Sequence, residues 1–178
     1  MADTFTASNI SRNFGDGLVA LIVDDSEIDQ YLVQRMLLDA GFTVEVASSA
    51  EDAIALASNC QPDLVCCDVR LPGADGYALC SAVRARYPDA YIPFLFITAL
   101  SDERDLLKCF EVGADDVVVK PVTQTLLRAK LTAALRTRDM HQVLERQRDQ
   151  LALFRTDVQR DMEIAKTIID NLGSEKTL

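Results

Sequence analysis

The chain has 178 residues, of which 49% are hydrophobic and 26% charged, a composition typical of one globular domain with an extension. Its net charge of −10 argues against direct binding to nucleic acid or to an anionic membrane, since surfaces for those partners are basic. No apolar run approaches the roughly 20 residues that a membrane span needs, and the N-terminus does not resemble a signal peptide.

The five cysteines are odd in number and include no C-x-x-C pair, which fits neither a disulfide framework nor a zinc site. Cys66 and Cys67 lie inside an apolar run, so we expect them to be reduced core residues, as in a protein of the reducing cytoplasm. His141 is the only histidine, which excludes a metal site built from several histidines.

The first part of the chain alternates between an apolar strand and a capped helix. Residues 1–16 are polar and show no apolar period, which predicts a loose leader. The apolar run 18–23 predicts a buried strand, and Ser26 can then cap a helix that ends near Gly41. The residues at helical spacing in this segment are Ile28, Tyr31, Leu32, Arg35 and Met36.

The same alternation continues through the middle of the chain. Residues 43–47 predict a second strand, and Ser49 can cap a second helix. A third strand is expected to begin at Asp63 and to be followed by a third helix over residues 77–86. Residues 92–98 then predict a fourth strand.

The last predicted elements are a helix, a strand and a long helix. Asp102 is expected to begin the fourth helix, and Gly113 to end it. Leu106, Leu107 and Phe110 are expected to lie on the apolar face of this helix. Residues 117–119 predict the fifth strand, and Thr123 opens the last helix.

Five apolar strands in strict alternation with five helices predict an α/β fold, with a parallel sheet covered by helices on both faces. Because crossover connections are right-handed, few topologies remain. The best fit is a doubly wound, flavodoxin-like sheet with strand order 2-1-3-4-5.

Polar residues stand at the predicted carboxyl ends of four strands. Asp24 and Asp25 follow the first strand, Asp68 follows the third, and Thr98 and Lys120 mark the fourth and fifth. These ends share one edge of a parallel sheet, where ligands collect. Crowded carboxylates raise a pKa or demand a cation, and Mg²⁺ suits oxygen ligands. With the hydroxyl and the lysine, the set can hold a transferring phosphoryl group.

Four segments of the chain match one known family in order and spacing. They are Val23-Asp24-Asp25, Asp68-Val69-Arg70-Leu71-Pro72-Gly73-Ala74-Asp75-Gly76, Phe96-Ile97-Thr98-Ala99, and Gly113-Ala114-Asp115-Asp116 followed by Lys120-Pro121. Over residues 18–138 the chain resembles the CheY-like receiver domain of two-component response regulators. The resemblance implies a signalling domain rather than an enzyme, to which we assign residues 17–138.

The resemblance implies a role for each of three site residues. Asp68 would accept a phosphoryl group from a phosphohistidine on a sensor histidine kinase or phosphotransfer protein. Thr98 and Lys120 would contact the phosphoryl oxygens. The family also suggests that the Lys120-Pro121 bond is cis, as proline permits.

The resemblance also implies Mg²⁺ as a cofactor. Asp25 and Asp68 would bind the ion directly, together with the backbone carbonyl of Arg70. Asp24 would help through water. The domain would catalyse only its own Mg²⁺-dependent phosphorylation and dephosphorylation.

The chain departs from the family's pattern at Val117, where the family usually has Tyr or Phe. That aromatic ring swings inward on activation in the family, and a valine has no ring to swing. We therefore hypothesise that switching relies on Thr98, the loop around Ala99 and Leu100, and the fourth helix.

The last predicted helix is far longer than one small domain requires. No Gly or Pro occurs from Thr123 to Gly173, which predicts a helix of about 50 residues, roughly 75 Å long. Core-like residues follow a heptad seam with one four-residue stutter. They are Met140, Leu144, Gln147, Leu151, Phe154, Val158, Met162, Ala165, Ile169 and Leu172.

This seam predicts that residues 139–172 form a parallel homodimeric coiled-coil linker, followed by a short tail over residues 173–178. Gln147 at the seam would cost stability and could fix the register. The alternative is a helix that folds back or packs on another domain. Residues 161–169 resemble linker helices before PP2C-type phosphatase effectors, and diguanylate cyclase regulators also use such helices. We therefore expect an output domain beyond Leu178.

Two other functions fit the same fold. One is a pseudo-receiver that serves as a scaffold without phosphorylation, which the intact acidic trio and Lys120 disfavour. The other is a flavodoxin-like protein that binds a flavin or nucleotide. Such a protein would need a glycine- and hydroxyl-rich loop after the first strand to bind the ligand phosphate. The segment Asp24-Asp25-Ser26-Glu27 is acidic instead and would repel that phosphate.

Overall fold

The computed structural model describes residues 14–174, with side chains described through residue 168. The strands are β1 (Val19–Val23), β2 (Thr43–Ala47), β3 (Leu64–Cys67), β4 (Phe94–Thr98) and β5 (Asp116–Val119). The helices are α1 (Glu27–Asp39), α2 (Ala50–Cys60), α3 (Gly76–Arg86), α4 (Glu103–Glu111) and α5 (Gln124–Ser174). Across this described part, no helix combines the length and apolarity needed to cross a membrane.

The five strands form one parallel sheet in the order β2-β1-β3-β4-β5, which confirms the predicted flavodoxin-like fold. The register matters for the site because Val23 pairs with Cys67 and Thr98 pairs with Val119. The residues that follow these pairs therefore leave the sheet at the same edge.

Helices cover both faces of the sheet. On one face, α2, α3 and α4 bury Ala53, Leu79 and Cys109 against the inward side chains of the strands. On the other face, α1 and the first turns of α5 bury Leu37 and Leu127. Each fully buried leucine among them contributes about 1.5–3 kcal/mol, so the sheet is anchored from both sides.

Four helices begin at a side chain that caps the backbone. Ser26, Ser49, Asp75 and Asp102 each accept a hydrogen bond from an amide in the first turn of their helix. Such caps satisfy amides that have no partner within the helix. The predicted caps at Ser26, Ser49 and Asp102 are thus confirmed.

The buried faces of α1 and α4 differ from the periodicity read in the sequence. In α1 the buried residues are Val33 and Leu37, while Ile28, Tyr31 and Leu32 are exposed. Residues at helical spacing are thus not all buried, because the helix has more apolar residues than its narrow contact with the sheet can bury.

The same correction applies to α4. Its buried residue is Cys109, whereas Leu107 and Phe110 are exposed and Leu106 is half-buried. The free thiol therefore serves as the small apolar residue that faces the sheet. All five cysteines of the chain are free, and all except Cys60 are buried.

The end of the segment predicted as a leader joins the folded domain. The Phe14 ring meets Phe42 edge-on at 6.0 Å, and the Arg128 guanidinium lies 5.4 Å from its centroid. The Gly15 amide donates to the Ala40 carbonyl at 2.9 Å. The rest of the predicted leader, residues 1–13, lies outside the described residues.

The chain divides into two compact units, residues 1–138 and 139–178. The second unit is helical through Ser174, two residues beyond the predicted end at residue 172, as is common for frayed helix ends. Its described side chains are largely exposed.

Candidate functional site

Lys120 lies among carboxylates at the carboxyl edge of the sheet. Its ammonium nitrogen donates to Asp24 Oδ2 at 2.8 Å, to Asp29 Oδ2 at 2.7 Å and to Asp68 Oδ2 at 2.9 Å. These residues are separated by up to 96 positions in the chain. The fold therefore brings Asp24, Asp68 and Lys120 together as the strand ends predicted.

Asp24 is held by the turn that connects β1 to α1. Its Oδ1 accepts a hydrogen bond from the Ser26 amide at 2.9 Å, and its backbone amide donates to the Ala47 carbonyl at 3.2 Å. The Asp24 carbonyl also accepts from Gln30 Nε2. Because both main chain and side chain are engaged, this carboxylate is fixed in position.

Asp68 continues the sheet by one hydrogen bond beyond β3. Its amide donates to the Val23 carbonyl at 2.8 Å, and its Oδ1 accepts from the Arg70 amide at 3.2 Å. The motif ends in Gly76 for a steric reason, because a Cβ at this position would lie 2.2 Å from the Asp68 carbonyl oxygen. Only glycine lets α3 start this close to the Asp68 backbone.

Thr98 and Lys120 are neighbours through the backbone. The Lys120 amide donates to the Thr98 carbonyl at 2.8 Å, and the Lys120-Pro121 bond is cis as predicted. The Thr98 side chain is buried, and its Oγ1 accepts from the Leu100 amide at 3.2 Å. The hydroxyl thus belongs to the loop that follows β4.

Asp25 and Arg70 lie at the same edge but are more exposed than Asp24 and Asp68. Both residues are exposed, and the Lys120 ammonium binds Asp24 and Asp68 instead of Asp25. The predicted residues are therefore present at one edge, with Asp25 at its solvent side.

Burial and ion pairing act in opposite directions on the two buried charges. Burial raises the pKa of Asp24 above its usual value, although the Lys120 ammonium and the Ser26 amide lower it. For Lys120, burial would lower the pKa, but the hydrogen bonds to Asp24, Asp29 and Asp68 outweigh burial and raise it. Three partners keep the lysine charged, whereas the aspartate has one cation.

Asp29 is a site residue that the sequence reasoning missed. The strand-end rule could not find it, because Asp29 lies in the first turn of α1. Its only signal in the sequence is its place in the first turn of the helix that directly follows Asp24 and Asp25. With Asp29, three carboxylates surround one ammonium, which leaves excess negative charge at the edge.

The donor set suits Mg²⁺, although in residues 14–174 no three His, Cys, Asp or Glu side chains are already arranged around a common metal position. Carboxylate oxygens of Asp24 and Asp68 lie within 2.9 Å of one cation, the Lys120 ammonium. Hard oxygen donors with excess negative charge are what Mg²⁺ prefers. The residues present therefore fit the ion.

Val117 lies at the position where the receiver family that the sequence resembles usually has an aromatic residue. It is half-buried in β5 opposite Phe96 and packs against the core cluster on the α2–α3 face of the sheet. Its side chain contributes to packing without a ring that could move.

Comparisons with known proteins agree with this architecture. The family model "Response regulator receiver domain" matches residues 20–132. A cyclic di-GMP phosphodiesterase of Thermotoga maritima is 38% identical over 124 residues, which are 70% of this chain and 33% of that protein. The chain spans about a third to a half of the length of the first curated relatives it matches.

Solved structures give the same result. A putative response regulator from Chloroflexus aurantiacus superposes with a TM-score of 0.62 at 35% identity, covering 66% of this chain and 97% of that one. The CheX-CheY-BeF3-Mg+2 complex from Borrelia burgdorferi shares the fold, with a TM-score of 0.65 at 24% identity over 70% of this chain and 98% of that one.

The topology, the cluster at the sheet edge and the matched family model lead to one assignment. Receiver domains are signalling modules rather than enzymes. The chain belongs to the response regulator receiver domain family.

Proposed function

We propose that this receiver is phosphorylated on Asp68 by a phosphohistidine of a sensor kinase or phosphotransfer protein. The observation that carries the proposal is the hydrogen bond from the Lys120 ammonium to Asp68 Oδ2. It places a fixed cation beside the oxygen that would attack, at an edge where Asp24 supplies a second carboxylate.

The chemistry is a transfer between two nucleophiles. A carboxylate oxygen of Asp68 bonds to phosphorus while the bond from phosphorus to the histidine nitrogen breaks, and the imidazole keeps the electron pair. The product is an acyl phosphate, which water later cleaves to restore the carboxylate and release inorganic phosphate. Such reactions depend on positioning and on neutralising the phosphoryl charge.

Each residue has a proposed part in that positioning. Lys120 would donate to a phosphoryl oxygen, and Thr98 would do the same after its hydroxyl leaves the Leu100 amide. Asp24, Asp25, Asp68 and the Arg70 carbonyl would hold Mg²⁺. When bound, the ion supplies charge neutralisation of the phosphoryl oxygens.

Incubation with acetyl phosphate and Mg²⁺ tests this proposal. We expect intact-mass spectra to show one added phosphoryl group on the wild-type chain and none on Asp68→Asn. Asp39→Asn is a matched control, because Asp39 is an exposed aspartate in α1 away from Lys120. Phosphorylation that persists in Asp68→Asn would defeat the assignment, and a wild-type chain that stays unmodified would favour a scaffold role.

We further propose that residues 139–172 carry the signal as a parallel coiled coil with a second copy. The seam residues Leu144, Leu151 and Met162 are exposed, and contiguous exposed apolar residues mark interaction surfaces. Most helical stability in proteins comes from packing of an apolar face, so a partner helix would stabilise this unit.

Light scattering tests the coiled coil directly. The wild-type chain is expected to be a dimer, and a chain ending at Arg138 is expected to be a monomer. A monomeric wild-type chain at micromolar concentration would reject pairing through this helix.

Free cysteines throughout the receiver support a reducing compartment, the cytoplasm, as its location.

Switching is proposed to use the β4–α4 loop rather than an aromatic ring. The Thr98 hydroxyl and the Leu100 amide are joined in this structure, so a Thr98 hydroxyl that turned to a phosphoryl group would release the loop. Structures with and without beryllium fluoride should show this loop moving. An unmoved loop would reject the mechanism.

A further inference from the structure

The Lys120 ammonium has no free donor in this structure. A lysine ammonium carries three N–H groups, and hydrogen bonds run to Asp24, Asp29 and Asp68. A phosphoryl group arriving on Asp68 also needs a donor from this ammonium. One of the three carboxylates must therefore release it.

We propose that Asp29 is a positioning residue that holds one Lys120 donor in the unphosphorylated receiver and releases it when a phosphoryl group enters. This inference rests on the proposed function, because it concerns the same site. It adds to the site a residue that lies outside the four matched motif segments.

Burial decides which carboxylate releases the donor. The Asp24 side chain is 5% exposed and also binds the Ser26 amide, so losing Lys120 would leave a charge away from water, which is costly. If Asp68 alone released its donor to its own phosphoryl group, removing the Asp29 hydrogen bond would leave the binding of a phosphoryl mimic unchanged, so a titration distinguishes the two cases. The Asp29 side chain is 32% exposed, so water can replace the ammonium as its partner.

The space beside the ion pair makes that exchange feasible. A cavity of about 100 Å³ lies between α1 and the β5–α5 connection, bordered by Asp29, Lys120 and Pro121. The cavity is otherwise lined by the apolar residues Leu32, Val33, Ile97 and Val122, so it gives the two side chains room to move apart. Water reaches the separated Asp29 carboxylate from its solvent side, since that side chain is 32% exposed.

Competition for one Lys120 donor predicts the direction in which the affinity for a phosphoryl mimic should change. Asp29 and the phosphoryl oxygens share one donor, so weakening the Asp29 hydrogen bond should strengthen binding of a phosphoryl mimic. For a half-exposed ion pair the expected gain in affinity is about fivefold. If Asp29 instead presented Lys120 to the phosphoryl group, the same change would weaken binding.

The experiment is a titration of the full chain with beryllium fluoride at saturating Mg²⁺, followed by NMR. The variants are Asp29→Asn, Asp29→Glu and Glu27→Gln. Glu27→Gln is the matched control, since Glu27 is an exposed acid of the same first turn and its loss removes the same charge. The affinity for Mg²⁺ alone is measured separately for each variant.

We expect Asp29→Asn to bind the mimic about fivefold more tightly than the wild type, with Asp29→Glu and Glu27→Gln within about twofold of it. The Mg²⁺ affinity of each variant, measured alone, corrects for the lost charge, whose effect on the ion depends on its distance from it. Equal or weaker mimic binding by Asp29→Asn, or an equal gain in Glu27→Gln, would overturn the role of Asp29.

A second readout follows the ammonium itself. The ¹⁵N signal of the Lys120 ammonium, assigned by its loss in Lys120→Arg, should shift in Asp29→Asn before any mimic is added. A crystal structure of the wild type with the mimic should place Lys120 Nζ beyond about 4 Å from Asp29. Retention of that contact would contradict the exchange, whereas a wild type that binds no mimic would instead refute the proposed function.

Discussion

The two units of this chain treat apolar side chains in opposite ways. Phe94 in β4 is 0% exposed, whereas Phe154 in the second unit is 66% exposed. In the first unit, helices close over both faces of a sheet. In the second unit, a single helix has nothing of its own to close against. The contrast shows that apolar side chains are buried where helices close over a sheet and stay exposed along a single helix.

The strongest test of the contrast replaces one phenylalanine in each unit. Phe94→Ala should lower the free energy of unfolding of the receiver by about 3–5 kcal/mol, because it leaves a cavity in a packed core. Phe154→Ala should change receiver stability by less than about 0.5 kcal/mol while weakening the dimer. Urea denaturation and light scattering measure the two effects.

Equal loss of receiver stability in both variants would contradict the division. It would mean that Phe154 packs on the receiver rather than on a second copy, which is the folded-back alternative.

Polar networks differ between the units in the same way. The Asp115 carboxylate accepts hydrogen bonds from Tyr91 at 2.6 Å, Arg84 at 2.7 Å and the Phe94 amide at 2.7 Å. Thereby it ties α3 to the strands. In the second unit, Asp157 meets Arg160 at 3.5 Å with both side chains exposed, and such pairs contribute little.

Asp115→Ala should therefore lower receiver stability by about 2 kcal/mol, because buried donors lose their acceptor. Asp157→Ala should change it by less than about 0.5 kcal/mol. The pKa of Tyr91 is raised by burial and by its hydrogen bond to Asp115, so Asp115→Ala should also bring the Tyr91 pKa down toward its usual value.

Ultraviolet titration of the tyrosines would show that change. An unchanged Tyr91 pKa would mean that burial alone sets it and that the network is weaker than its distances suggest.

The sequence predicted the fold because alternation and strand-end chemistry are local signals. Strand order, helix caps and the convergence of Asp24, Asp68 and Lys120 all followed from patterns within short segments. Asp29 did not, because it lies inside α1 rather than at a strand end, and its contact with Lys120 depends on the rotation of α1 against the sheet. That rotation also decided which apolar residues of α1 are buried, and periodicity alone misplaced them.

The pairing of the second unit with another copy remains a prediction for a different physical reason. Its heptad seam predicts which residues would pair, but seam contacts form between two chains, so a single chain does not contain them. Leu151 lies on the predicted seam and is 63% exposed, while Leu153 lies off the seam and is 68% exposed. Exposure therefore cannot distinguish them, although a second copy would.

Cysteine substitution at these two positions gives the most sensitive comparison with the smallest energetic change. In a parallel, in-register dimer, seam residues face each other within disulfide reach. Leu151→Cys should therefore form a cross-linked dimer under mild oxidation, and Leu153→Cys should stay monomeric on a non-reducing gel. Equal cross-linking in both variants would reject the predicted seam.

The native cysteines should not interfere at neutral pH. Burial raises the pKa of Cys66 to about 12 and that of Cys80 to about 11, so both stay protonated, and the thiolate is the reactive form. Cys60 is half-buried and is best replaced by Ser as background. Labelling of the receiver thiols should begin only as the pH rises toward these values or as the domain unfolds. Rapid labelling at pH 7 would show that the receiver core opens without denaturant. That result would contradict the contrast between a buried core in the first unit and an exposed helix in the second.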